Sequence, residues 1–224
     1  MAQRPSTTAK RKADTAERIL EEALALAEEV GWGKVRLRQV AERMDVPLAA
    51  VLEHYRDLDG VADAWFAKGW QAMLQPPPDD FTEMPPPDRL HLILMRWFDA
   101  LEPHRRVTGE MISEKLWYAH PHHWVPAIFN LSRTILWLRE AALLDAPGRQ
   151  RQIEEIGLTT LFLATLRAWL RDDTEGQEKT RTFLRNRLAA ADRIMALAVV
   201  RRRRHQPPEP PENQPPADQP TATA

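Results

Sequence analysis

The chain has 224 residues, of which 43% are hydrophobic and 28% charged, and its formal net charge is −1 at pH 7. This composition is typical of a globular protein with a sizeable core, and the near-neutral charge argues against a general polyanion binder. The absence of cysteine excludes disulfides, thiolate catalysis and Cys-ligated metal, and it fits a reducing compartment. Because no apolar run is long enough to span a membrane and the first residues lack a signal-peptide core, we expect a cytoplasmic protein.

A basic arm and a long helix are predicted at the N-terminus. Residues 1–12 are polar and basic, which predicts a flexible arm that either reaches DNA or acts only as a solubilising tail. A helix is predicted from about Asp14 to Val30, because apolar residues recur there at three- and four-residue spacing. Gly31 is the expected residue at its C-terminal end.

Two short helices joined by a tight corner follow within residues 35–55. Apolar residues at i, i+3 and i+4 lie on both sides of a corner at 45–47, whose proline suits the first turn of the second helix. Asp57 is a candidate N-cap for a fourth helix from about Leu58 to Leu74. This order of helices is typical of a helix-turn-helix domain, which we assign to residues 13–74.

The rest of the chain predicts a second helical domain. Residues 75–87 are rich in proline, so they cannot be helical and are predicted to form a semi-rigid linker. Residues 88–200 form the second domain, whose last helix is expected to begin with a capping box of Thr174 and Gln177. Residues 201–224 predict a disordered tail. The predicted helices run roughly over 87–101, 103–118, 121 or 126–144, 150–170 and 175–200. We therefore expect an all-α chain of about nine helices with disordered termini.

The first 70 residues follow a particular order of elements: long helix, glycine, short helix, corner, short helix, His-aromatic pair, long helix. The residues that carry this order are Arg18-Ile19-Leu20, Ala23, Gly31, Val40-Ala41, Val46 and His54-Tyr55. The pattern resembles the TetR/AcrR family of bacterial transcription regulators. The resemblance implies an all-α homodimer that binds operator DNA through its N-terminal domain. It also implies a C-terminal domain that binds a small hydrophobic ligand, whose binding releases the DNA.

The corner and the second short helix depart from the family pattern. Asp45 occupies a corner position that is usually glycine, and Leu58 replaces a phosphate-binding lysine. Residues 47–52 lack the usual Ser, Thr and Tyr hydroxyls, although base readout needs donors and acceptors at the groove edge. The candidate DNA-binding residues are Arg36, Arg38, Ala49, Ala50, Glu53, His54, Tyr55 and Arg56.

The C-terminal half carries a second resemblance over about residues 88–195. The order and spacing of its helices, which end in Phe183-Leu184-x-x-Arg187-Leu188, look like those of the TetR-fold lipid-binding protein of ubiquinone biosynthesis, the Coq group. That group has lost DNA binding, holds isoprenoid lipid and docks on a membrane surface through its last helix. This alternative function would account for the apolar second short helix.

Aromatic residues are frequent in the second domain. At helical spacing they form either plain core or the wall of a pocket for a hydrophobic ligand. The candidate pocket residues are Trp97, Met111, Trp117, Tyr118, Trp124, Phe129, Trp137 and Phe162.

Two apolar helix faces near the C-terminus are candidates for a dimer interface. Small residues on the first face permit close helix approach, and isologous pairs are the most frequent oligomers, although the same residues can instead be buried within one subunit. The candidate interface residues are Ile153, Ile156, Gly157, Thr160, Leu161, Ala164, Leu184, Leu188, Ala191 and Met195.

The sequence shows no pattern of catalytic residues. A Gly-rich phosphate loop, a nucleophile elbow and a metal-carboxylate cluster are all missing, so we expect neither enzymatic activity nor a cofactor. His120, His122 and His123 are close together and can ligate metal. The intervening proline and the lack of nearby carboxylates favour a polar helix junction instead.

Overall fold

The computed structural model describes residues 7–117 and 121–204, with side chains described for 11–115 and 131–194. This part of the chain contains nine α-helices, three short 3-10 helices and no strand, which confirms the prediction of an all-α protein. The α-helices are α1 (Thr7–Val30), α2 (Leu37–Arg43), α3 (Leu48–Leu52), α4 (Leu58–Met73), α5 (Pro86–Leu101), α6 (Arg105–Trp117), α7 (Pro121–Ala141), α8 (Gly148–Trp169) and α9 (Glu178–Arg204).

The chain divides into two compact units, residues 1–189 and residues 190–224, and α9 continues from the first into the second. In the first unit α4 and α5 pack directly on each other. Gly69 lies at their closest approach, since a Cβ atom at this position would be 2.7 Å from Nε1 of Trp97. Nε1 of Trp65 donates to Oγ1 of Thr108 at 2.8 Å and so joins α4 to α6 inside the core.

The corner between α2 and α3 is closed by two backbone hydrogen bonds. The N–H of Val46 donates to the carbonyl of Ala41 at 3.0 Å, and the N–H of Asp45 donates to the carbonyl of Glu42 at 3.2 Å. These are the two bonds of a Schellman motif, in which Asp45 has the left-handed conformation with φ of 54°. Asp is among the non-glycine residues that tolerate this conformation, which explains why the corner forms without glycine. Pro47 precedes the first turn of α3 as its N-cap instead of belonging to that turn.

The proline-rich segment 75–87 is part of the first unit and contacts α5. Phe81 is buried, and the guanidinium of Arg96 on α5 donates to the carbonyls of Gln75 and Pro76 at 2.9 and 3.2 Å. Residues 75–85 are therefore a folded turn that lets α4 and α5 lie side by side. The prediction that 75–87 cannot be helical is wrong for its last two residues, because α5 begins at Pro86 and proline is tolerated in the first turn of a helix. The division into two domains at this segment stays a prediction.

Both terminal helices are longer than predicted. The first helix begins at Thr7, so Arg11 and Lys12 are helical and do not belong to an extended arm. The last helix ends at Arg204, so the four arginines at 201–204 are helical as well. Residues 1–6 and 205–224, the rest of the predicted arm and tail, lie outside the described residues.

The turn between α8 and α9 is organised by Asp172, which is buried. Its carboxylate accepts from the backbone N–H of Thr174 (3.0 Å) and of Thr180 (2.8 Å), and also from both threonine hydroxyls. Gln177 instead donates its side-chain amide to Asp99 at 2.9 Å. The predicted capping box of Thr174 and Gln177 is therefore wrong, because Asp172 is the nearer and stronger acceptor for the start of α9.

Candidate nucleic-acid interface

The outward face of α3 is apolar. Val51 is buried against the core, whereas Leu48 and Leu52, one helical turn apart, are 41% and 44% exposed. Ala49 and Glu53 are exposed beside them, and both belong to the predicted DNA-binding set. The outward face of α3 therefore carries apolar side chains that the rest of the described chain does not cover.

Exposed arginines lie on α2 and directly after α3. Arg38 approaches Glu42 at 3.7 Å with both side chains largely exposed, a pairing that contributes little. Arg56 is exposed and makes no ion pair with any described residue. Arg36 is exposed too, but its guanidinium donates to the carbonyls of Gly33 (2.9 Å) and Val35 (2.6 Å). Arg38 and Arg56 are therefore the arginines of the predicted set whose charge is available to a partner.

Tyr55, which was predicted to contact DNA, is held inside the protomer. Its hydroxyl donates to the carbonyl of Ala16 on α1 at 3.1 Å. Burial raises the pKa of the phenol, and the nearby Glu17 carboxylate adds to the shift, so the side chain is a neutral donor. His54 and Ala50, two further members of the predicted set, are half-buried.

A network of charged groups joins α6 to the end of α1, just before the helix-turn-helix. Oε2 of Glu110 accepts from the backbone N–H of Trp32 at 2.6 Å. The guanidinium of Arg106 donates to the carbonyls of Ala27 (3.1 Å) and Glu28 (2.7 Å) in the last turn of α1, where the Ala27 carbonyl also accepts from the N–H of Gly31 at 2.9 Å. The amino-acid sequence gives no sign of this network, because a pairing between residues nearly 80 positions apart leaves no local pattern.

Trp97 and Phe162, predicted to line a ligand pocket, are part of a filled aromatic cluster. The Trp97 ring lies 5.1 Å from that of Phe98 and 5.2 Å from that of Phe162, both edge to face, and Trp169 completes the cluster. Trp137 packs edge to face on Trp70 at 5.5 Å. These residues form core rather than the wall of an open cavity.

Cavities are present elsewhere among the described residues. A shallow one of about 460 Å³ is lined by charged residues such as Glu17 and Lys68. A second one of about 340 Å³ is lined by Met111, Glu114 and Leu58, so it contains one predicted pocket residue. Burial raises the pKa of Glu114. The side chains of the remaining predicted pocket residues, Trp117, Tyr118, Trp124 and Phe129, lie outside the described residues.

The predicted dimer interface divides into an exposed and a buried part. On α8, Ile153 and Ile156 are 63% and 69% exposed, Gly157 and Thr160 are exposed beside them, and Leu161 and Ala164 are half-buried. On α9, Leu184 and Leu188 are buried within one protomer, which corrects their predicted place in an interface: they face the core of their own subunit. Ala191 is exposed, and the Met195 side chain lies outside the described residues.

Neither a metal cluster nor a membrane-spanning helix is found in the part of the chain that the structure describes. No three His, Asp or Glu residues converge there in a way that would hold a metal ion. The side chains of His120, His122 and His123 lie outside that part. None of its helices combines the length and the apolar character required to cross a bilayer.

Comparisons with known proteins identify the family. No family model and no curated protein matches the chain. Among solved structures, the chain is 35% identical to a TetR transcriptional regulator from Nitrosomonas europaea ATCC 19718, with a TM-score of 0.72 over 80% of this chain and 98% of that one. A TetR transcriptional regulator from Rhodococcus sp. RHA1 shares the fold at 19% identity, with a TM-score of 0.52 over 77% of this chain and 92% of that one. The alternative of a lipid-binding protein of ubiquinone biosynthesis gains no support from these likenesses. The chain belongs to the TetR family of transcriptional regulators.

Proposed function

We propose that the protein is a cytoplasmic, non-enzymatic repressor that binds a palindromic operator as a homodimer and is released by a small hydrophobic ligand. The observation that carries this proposal is the outward face of α3, which is free of intramolecular cover, together with the exposed side chains of Arg38 on α2 and Arg56 directly after α3. Phosphate contacts position a helix-turn-helix on the duplex, and a helix in the major groove reads the bases.

The apolar stripe on α8 supports the homodimer. Ile153, Ile156, Gly157 and Thr160 recur at three- and four-residue spacing, so they share one side of the helix, and all four are exposed. An exposed stripe of this kind is typical of an isologous interface, in which the same face of both copies meets across a two-fold axis. A two-fold axis in the protein in turn matches a palindromic operator.

The second cavity and the α6 network support control by a ligand. This cavity has a volume within the range of small-molecule sites, and its lining combines apolar side chains such as Met111 with charged ones: Asp57, Asp59, Glu114 and Lys115. Glu110 and Arg106, on the same helix as Met111, hold the end of α1. A ligand that shifts α6 therefore also shifts the base of the helix-turn-helix, which changes the spacing of the two reading heads.

The DNA-binding part of the proposal is tested by titrating fluorescent DNA from upstream of the protein's own gene at several salt concentrations. We expect a tight site whose affinity falls steeply with salt. Arg38→Ala together with Arg56→Ala should weaken binding and reduce the slope of log K against log salt by about 0.9 for each phosphate that is no longer neutralised. Arg171→Ala, which removes an exposed charge after α8, is the matched control and should change neither quantity. Binding no tighter than to random DNA would contradict operator recognition.

The homodimer is tested by sedimentation of an Ile156→Glu variant. A charge on each copy at the centre of the α8 stripe should convert dimer to monomer, because a carboxylate buried across a two-fold axis meets its own copy. Leu74→Glu adds the same charge at another exposed leucine and should remain dimeric. An Ile156→Glu protein that stays fully dimeric would remove α8 from the interface.

A further inference from the structure

The part of α3 that points away from the core carries almost no hydrogen-bonding chemistry. Leu48, Ala49 and Leu52 are exposed there, and the exposed Glu53 follows them. His54 and Ala50 are half-buried and Tyr55 is engaged with α1, so they do not extend this surface. We call Leu48, Ala49, Leu52 and Glu53 the reading face.

Aliphatic side chains can favour one base over another only through apolar contact. In the major groove, guanine presents two acceptors, adenine an acceptor and a donor, and cytosine a donor, whereas thymine presents the C5 methyl group beside one acceptor. Leu48, Ala49 and Leu52 can neither donate to purine N7 nor accept from an amino group. Against these side chains, a purine edge loses its water without gaining a bond, while a thymine methyl gains apolar contact.

Glu53 adds one polar preference to the reading face. Its carboxylate only accepts hydrogen bonds, and it is repelled by phosphate, so its favourable partner in DNA is an exocyclic amino group such as N4 of cytosine. Arg38 and Arg56, which are exposed on α2 and directly after α3, provide the opposite charge for the phosphate backbone. The arginine side chains can therefore contact the backbone phosphates, whereas the apolar face can contact the base edges on the floor of the groove.

We infer that the protein reads its operator through thymine methyl groups, with Leu48 and Leu52 in contact with thymines of each half-site and Glu53 accepting from a cytosine amino group. This inference rests on the proposed function, because it requires α3 to enter the major groove. It identifies the class of operator: half-sites with at least two thymines beside a cytosine, and no guanine opposite the two leucines.

The test begins with selection of binding sites from a random duplex library by the full-length protein, followed by replacement of each selected thymine with deoxyuridine. Deoxyuridine pairs as thymine does but lacks the methyl group. We expect thymine-rich half-sites, and a loss of affinity of roughly fourfold for each methyl that contacts a leucine. Leu48→Ala and Leu52→Ala should each show a smaller loss on the same replacement, because the contacting side chain is already gone.

Leu74→Ala is the matched control, since Leu74 is equally exposed at the end of α4. This variant should retain the full sensitivity to deoxyuridine. The targeted leucines are exposed, so their truncation leaves the core intact, and circular dichroism verifies this. If a specific site is selected but deoxyuridine has no effect, the methyl readout is wrong while operator binding stands. If no sequence is selected above random DNA, operator binding fails and the inference fails with it.

Discussion

Replacement of Asp172 with Ala removes the acceptor that organises the α8–α9 turn. The wild-type carboxylate accepts four hydrogen bonds, two from backbone N–H groups and two from the hydroxyls of Thr174 and Thr180. Thr180 is fully buried, so its N–H cannot regain a water partner, and an unsatisfied buried donor costs about 1–3 kcal/mol. Thr174 is half-buried and recovers part of its loss through solvent. We therefore expect Asp172→Ala to lower the free energy of unfolding by about 2–4 kcal/mol at neutral pH.

The same carboxylate makes this stabilisation depend on pH. Burial raises the pKa of Asp172, but the hydrogen bonds from Thr174 and Thr180 outweigh burial and hold the pKa far below its ordinary value of 3.8. A pKa that is lower in the folded state than in the unfolded chain stabilises the fold fully above the unfolded value. That stabilisation is lost as the pH falls through the folded value. The difference between wild type and Asp172→Ala should thus be constant near neutral pH and shrink below about pH 4.

The assay is urea denaturation followed by tryptophan fluorescence, at one protein concentration because the proposed dimerisation would add to apparent stability. Asp173→Ala is the matched control: this neighbouring carboxylate is exposed and pairs with Lys179 at the surface, so its loss should leave the free energy of unfolding almost unchanged. Equal stability of the Asp172→Ala and Asp173→Ala proteins at neutral pH would refute the assignment of Asp172 as the cap of α9. A stability difference that does not shrink in acid would refute the pKa argument alone.

Two further substitutions examine the packing of α4 and the assignment of Tyr55. Gly69→Ala should destabilise the fold by about 1–3 kcal/mol despite the better helix propensity of alanine, because the new Cβ atom would lie 2.7 Å from Nε1 of Trp97. Thermal unfolding measures this change in stability. An unchanged midpoint would mean that α5 moves away freely. Tyr55→Phe should cost about 0.5–1.5 kcal/mol in unfolding free energy through loss of the bond to Ala16, yet leave the salt dependence of DNA binding unchanged. A smaller slope of log K against log salt for Tyr55→Phe would instead show that the hydroxyl belongs to the DNA interface.

Local signals in the sequence sufficed for most helices of the fold. The apolar spacing within 35–55 predicted α2 and α3, and Asp57 is the N-cap of α4 as predicted, accepting from the N–H of Gly60 at 2.8 Å. Such features depend on residues within one or two turns of each other, so a single sequence contains them. The corner at Asp45 formed without the usual glycine because its two hydrogen bonds are also local.

The failed predictions depend on contacts between distant residues. Thr174 and Gln177 have the spacing of a capping box, but Gln177 is drawn to Asp99 on α5, far away in the chain. Leu184 and Leu188 lie on an apolar stripe, and periodicity alone cannot distinguish a stripe that faces its own core from one that faces a second copy. The placement of Tyr55 against α1 is a further case, since its partner is a backbone carbonyl that no side-chain pattern marks.

Some polar side chains of the helix-turn-helix are bound to other groups of the same chain, and this affects how selectively the domain binds DNA. Arg43 pairs with Glu22 and Glu29 at 3.3 and 2.8 Å, and the Tyr55 hydroxyl donates to Ala16, so both groups already have partners within the protein with which phosphate would compete. Affinity for random DNA arises almost entirely from phosphate neutralisation, and few cations leave that affinity weak. Apolar contacts with thymine methyls, by contrast, contribute only where the right bases are present. On the proposed function, a DNA-binding domain whose eleven Lys/Arg in residues 1–70 are balanced by twelve Asp/Glu, and whose reading face is apolar, loses more random binding than operator binding. A protein with a net charge of −1 can therefore bind random DNA weakly and still bind its operator selectively.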